Sequence, residues 1–185
     1  NPGTTICNGQ SVTLTASGDP SNSYTWNPGN ITSNPIIVNP SVNTIYTVTG
    51  NGGCTSCTAS MTVTVNPLPT ISVSPTATSV CFSTVSQTSQ LAYSSTTNSP
   101  NTYSITWNAS PSNSFVNVNN AVLPASPIPI VVPANTSPNT YTGNITVRNG
   151  NGCISTSTSF SITVNPLPQG SLAGTSICVG TTGQL

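Results

Sequence analysis

Between residues 11 and 16 the chain reads SVTLTA, with Val12, Leu14 and Ala16 on one face and Ser11, Thr13 and Thr15 on the other. The same alternation returns in SMTVTV at 60–65, where Met61, Val63 and Val65 face one way and Thr62 and Thr64 the other. A period of two in β-branched residues predicts half-buried strands. No segment shows a 3.6-residue period with helix caps. The pattern predicts strands over 11–16, 23–27, 35–39, 44–49 and 58–65, and again over 70–74, 87–93, 102–108, 115–118, 127–132, 140–148 and 157–164. Turn-forming clusters (ASGDPSNS, NPGN, TGNGG, RNGNG) separate them. The steps Asn51-Gly52 and Asn149-Gly150 are expected to supply the positive φ of tight hairpins.

The strands fall into repeats. VTVNPLP at 63–69 recurs as ITVNPLP at 162–168, and the stretches before them align, with Cys54 on Cys153, each twelve residues before the Asn of the phrase. Upstream, SYTWNPG lies over SITWNAS, which puts Trp26 on Trp107. After the phrase, TSICVGTTGQL at 175–185 resembles TTICNGQSVTL at 4–14. The chain therefore reads as a window on a tandem array: one repeat over 1–67, with 1–2 as the tail of a preceding one, a second over 68–166, and the start of a third over 167–185. Short strands at this spacing, with one Trp and two aligned Cys per unit, predict an all-β fold of tandem immunoglobulin-like β-sandwiches joined by short proline-rich linkers. Within each phrase, Asn66 and Asn165 end a last strand. Pro67, Leu68 and Pro69, like Pro166, Leu167 and Pro168, form a stiff joint, because proline fixes φ and lacks the donor that would continue a ladder.

Composition narrows the chemistry. Charged residues are 1% of the 185-residue chain, against roughly 25% in ordinary domains. There is one acid, Asp19, one base, Arg148, and no His or Lys. General acid–base catalysis needs a titratable group near working pH, so no catalytic residue is assigned and the chain is expected not to be an enzyme. Calcium sites need several carboxylates, and no metal or other cofactor is expected. A neutral surface lacks the clustered Lys and Arg that bind nucleic acid, and no stretch approaches the ~20 apolar residues of a membrane span. With so little to titrate, stability should vary little between about pH 3 and pH 9.

Six cysteines in a small uncharged β-chain point to an oxidising compartment. Cys54 and Cys57 have the spacing of a zinc half-site, but no histidine completes one. The expected bridges lie within units, Cys7–Cys54 and Cys81–Cys153. Cys178 should pair beyond residue 185. Cys57 faces Thr156 in the alignment and is read as a free thiol, the alternatives being competition with Cys54 for Cys7 or a cross-link between chains. Trp26 and Trp107 are expected between the sheets, with sugar stacking at the surface as the functional alternative.

The first unit, ICNGQSVTLTASG through ASMTVTVNPLPT, resembles the Ig-like repeats of giant secreted surface proteins of Bacteroidota. The second, YSITWNAS through FSITVNPLP, resembles the PKD-like repeats found beside them, although WNPG and WNAS stand where that class carries an acidic WDFGDG-type motif. The resemblance implies an extracellular or cell-surface location, export by type IX secretion, and a place in the stalk of an adhesin of the SprB gliding-motility kind. Three roles stay open: a structural stalk whose partners are neighbouring repeats or other copies in a fibre; a module whose loops 94–101 or 109–126 bind a glycan or surface; and a filament subunit in which 170–185 completes another copy.

Overall fold

The computed structural model describes residues 4–18, 23–52 and 57–169. Among them are fifteen β-strands and no helix. Six strands, β1 (Thr4–Cys7), β2 (Val12–Leu14), β3 (Tyr24–Asn27), β4 (Ile36–Val38), β5 (Thr44–Gly50) and β6 (Thr58–Asn66), make the first sandwich. One sheet has the order β1-β6-β5-β3, and β2 pairs with β4 opposite it. Alternation sets what each strand buries: Tyr24 and Trp26 from β3, Ile36 and Val38 from β4, Tyr46 and Val48 from β5. With Ile6, Leu14 and Val63 they form one continuous core.

Nine strands make the second sandwich. They are β7 (Thr70–Val73), β8 (Val80–Cys81), β9 (Gln87–Leu91), β10 (Tyr93–Thr97), β11 (Pro100–Trp107), β12 (Val118–Val122), β13 (Ile128–Val132), β14 (Asn139–Asn149) and β15 (Thr158–Asn165). The large sheet runs β12-β11-β14-β15-β8, and the ladders β13-β9 and β10-β7 lie opposite. Leu91, Ile105, Ile128, Ile145 and Ile162 fill the space between, each 1% exposed or less.

Both units carry the wiring of an immunoglobulin-like sandwich. The first segment of each ends in a strand parallel to the last one, β1 on β6 and β8 on β15. In the second unit that segment changes sheets: β7 pairs with β10, then Pro75 and Ala77 exchange hydrogen bonds with Ser161 of β15. Proline at the crossing removes a donor where the first ladder ends. The Tyr141 hydroxyl donates to the Ser137 carbonyl, 2.7 Å away and four residues upstream, the tyrosine corner of this fold.

The strands missing from the sequence-based expectation are β1, β8 and β10. The first two are short. The expected strand 87–93 divides at Ala92, so that β9 joins one ladder and β10 another. The expected strand 115–118 begins later, as β12. The positive φ of the second hairpin falls at Gly152 (+83°), one Asn-Gly step beyond Gly150.

The two tryptophans are not equivalent. Trp26 lies opposite Val48, and the residue opposite the aligned Val147 is Tyr103, whereas Trp107 lies opposite Gly143. Trp26 is 3% exposed in the first core. Trp107 is half-buried at the edge of the second, stacked on Phe115 at 4.2 Å and edge-on to Phe160 at 5.4 Å.

Candidate functional site: the joint between two sandwiches

The chain passes from one sandwich to the next in three residues, Pro67, Leu68 and Pro69, between Asn66 of β6 and Thr70 of β7. Pro69 is fully buried and Leu68 half-buried. The β10–β11 turn places Asn98 and Ser99 at φ 54° and 48°, two successive left-handed residues that make a tight hairpin. From its tip the Asn98 Nδ2 donates to the Leu68 carbonyl at 2.6 Å. Beside it the Thr70 and Thr97 hydroxyls share a hydrogen bond of 2.7 Å.

The second attachment is covalent. Cys7 is bonded to Cys153, with Cα atoms 5.6 Å apart and a sequence separation of 146. Cys7 ends β1, opposite Asn66 in the parallel ladder, and therefore stands at the end of the first sandwich from which the linker departs. Cys153 sits in the β14–β15 hairpin of the second sandwich. That hairpin is folded around Asn149, whose amide donates to the Cys153 carbonyl (3.1 Å) and whose Oδ1 accepts from the Cys153 amide (3.0 Å). Cys153 is 1% exposed and Asn149 is 6% exposed. The hairpin thus holds Cys153 in place through two hydrogen bonds to Asn149. Closing so long a loop removes about 5 kcal/mol of unfolded-state entropy in the chain-entropy model.

This bond corrects the expected pairings within units, Cys7–Cys54 and Cys81–Cys153. The reason is strand length. Cys7 lies at the Asn66 end of β6, and the hairpin that opens β6 begins eight residues away at Thr58, roughly 27 Å along a strand. Cys81 likewise lies opposite Asn165, at the far end of β15 from its hairpin. A disulfide needs Cα atoms within about 7 Å. Cys81 is instead an exposed free thiol. Cys57, read from the sequence as free, is disulfide-bonded; its partner lies outside the described residues, as do Cys54 and Cys178. The second phrase, Asn165, Pro166, Leu167 and Pro168, is exposed throughout, with Leu167 at 50%.

The loops considered for ligand binding turn their aromatic residues inward. Phe115 packs between Trp107 and Tyr141, and the Tyr93 hydroxyl donates to the Pro124 carbonyl at 2.8 Å. A cavity of about 430 Å³ in the first sandwich is lined by Tyr24, Trp26, Tyr46 and Met61, among others. The Trp26 Nε1 is buried there without a hydrogen-bond partner among the described residues. Among the described residues no group of three or more His, Cys, Asp or Glu gathers to hold a metal, and no helix is long and apolar enough to cross a membrane.

No known family profile and no curated protein sequence matches the chain. Among solved structures, it is similar to the fibronectin(III)-like modules of Clostridium thermocellum CbhA, at 12% identity over 93% of this chain and 95% of that one, with a TM-score of 0.40. It is also similar to domains 4 and 5 of the S-layer protein SbsC, at 20% identity over 82% of each chain, TM-score 0.35. Drosophila N-cadherin EC1-3 matches at 12% identity over 88% of this chain and 64% of that one, TM-score 0.39. Identities and scores this low leave the functional argument to the chain's own geometry, which is that of an all-β tandem of immunoglobulin-like sandwiches built with a disulfide, and so suited to an oxidising environment.

Proposed function

We propose that this chain is a structural stalk segment of an extracellular bacterial surface fibre or adhesin, whose task is to hold successive sandwiches in fixed relation and so space a distal tip or build a filament. One observation carries this reading: the joint is held by the three-residue linker, the Asn98–Leu68 hydrogen bond and the Cys7–Cys153 bridge. A module whose units acted independently would gain nothing from a covalent tie between them. On this reading the chain is not an enzyme, needs no cofactor, and has neighbouring repeats as its first partners. The inward packing of Phe115 and Tyr93 weighs against glycan stacking on loops 94–101 and 109–126. The type IX, gliding-motility setting follows from the sequence resemblance to Bacteroidota repeats. Cryo-electron microscopy of the native assembly tests the proposal. A thread of sandwiches continuing through both ends of this segment is the expected result. Insertion of 170–185 into a separate copy would instead make the chain a polymerising subunit.

A further inference from the structure

The two sandwiches end alike. In the first, Cys7 closes a strand parallel to β6, opposite Asn66; in the second, Cys81 closes β8 parallel to β15, opposite Asn165. Pro-Leu-Pro follows each asparagine. At the first end every element is engaged: Cys7 is bonded to Cys153, the Leu68 carbonyl accepts from Asn98, and Pro69 is buried. At the second end Cys81 has no such bond among the described residues. Cys81 is an exposed thiol, Leu167 is half exposed, and Pro168 is exposed.

We propose that Cys81 is one half of a second bridge between sandwiches, bonded to the hairpin cysteine of a sandwich that follows Pro168 in the same polypeptide. Two features point there: the register of Cys81 on Asn165, which repeats that of Cys7 on Asn66, and the formed bond at the equivalent position of the first unit. The occupant is defined by that bond. It is a β-sandwich whose last hairpin offers a cysteine held, like Cys153, by a preceding Asn-Gly turn. This inference rests on the tandem-array reading of the chain.

The bond forms by thiol–disulfide exchange. The Cys81 thiolate attacks a donor disulfide, of a low-molecular-weight thiol or of a disulfide oxidoreductase, forming a mixed disulfide and releasing one thiolate. The hairpin thiolate then attacks the Cys81 sulfur and expels the second donor sulfur. Two protein thiols lose two electrons and two protons, and the donor disulfide is reduced to two thiols.

The test takes the full-length polypeptide from its natural source, blocks free thiols with N-ethylmaleimide before denaturation, digests with pepsin at acid pH without reductant, and identifies linked peptides by mass spectrometry. The expected result is Cys7 linked to Cys153, together with Cys81 linked to a hairpin cysteine further along the same chain. Cys81 carrying N-ethylmaleimide, or linked to a different chain or to a cysteine outside a hairpin, overturns the inference. The Cys7–Cys153 peptide separates the two levels of argument. If it is present while Cys81 is alkylated, the tied joint stands and only its extension fails. If it too is absent, the stalk reading loses its supporting observation.

Discussion

Cys7 stands opposite Asn66 across a parallel ladder, so the thiol that bridges to the second sandwich leaves from the same edge as the linker. Linker and bridge therefore act on one joint. Replacing Cys7 and Cys153 together by serine should leave both sandwiches folded and free their mutual orientation. Small-angle X-ray scattering is expected to show a broader distribution of inter-unit distances. Denaturation by urea should show a loss of about 2–4 kcal/mol, short of the ideal loop-closure value. An unchanged scattering profile would mean that the Pro67–Pro69 segment alone holds the joint.

Gly143 has no room for a side chain. A Cβ there would stand 2.7 Å from the Phe160 Cζ and 3.1 Å from the Trp107 Cζ3. Gly143→Ala should destabilise the second sandwich by about 1–3 kcal/mol through overpacking. Adding Phe160→Leu should recover part of that loss, giving a favourable coupling in a double-mutant cycle. Additive losses would place the strain elsewhere.

Tyr141→Phe removes the hydrogen bond to the Ser137 carbonyl and leaves the ring in place. The expected cost is about 1 kcal/mol, measured as a lower urea midpoint at constant slope. A cost near zero would show that water replaces the hydroxyl at that corner.

Burial raises the Tyr103 phenol above its ordinary value of 10.0, because its charged form would be desolvated. A group whose folded pKa lies above its unfolded one contributes stability fully below the unfolded value and loses it as pH climbs through the folded one. Thermal midpoints should therefore stay level from acid to mildly alkaline pH and fall above pH 10. Tyr103→Phe should flatten that alkaline fall, and an unchanged slope would remove Tyr103 as its cause.

The Trp26 indole N–H is buried without a partner among the described residues, at a cost of about 1–3 kcal/mol. Trp26→Phe removes that donor and keeps most of the ring, so its effect on stability should stay within ~1.5 kcal/mol. Trp26→Ala should cost about 3–5 kcal/mol. Comparing the two by calorimetry separates ring packing from the orphaned donor.

Strand alternation made most of the sandwich legible in the sequence. Val12 and Leu14, Tyr24 and Trp26, and Tyr46 and Val48 alternate with polar neighbours because one face of each strand is buried. The bridge was not legible. Two cysteines at matching places in a repeat suggest a bond inside each unit. What decides otherwise is the direction of β1 relative to β6, and a four-residue strand carries no periodic signal of direction. The same limit hid β8 and the true position of Cys81. Trp26 lies in the core as expected, but the equivalence of Trp107 to it failed for a related reason. Trp26 and Trp107 share their neighbours in sequence but not their place in the ladder, since β3 and β11 differ in length and register.

The Cys7–Cys153 bridge also decides what happens when the ends of this segment are pulled apart. Tension entering at β1 crosses the sulfur–sulfur bond into the β14–β15 hairpin, and the 146 residues of separation fall outside the load path. Fully extended, that stretch would lengthen the thread by roughly 500 Å. While the bond is intact this slack stays locked, even if a sandwich opens. A reductant at one joint would put that length back into the load path, to be released whenever a sandwich opens.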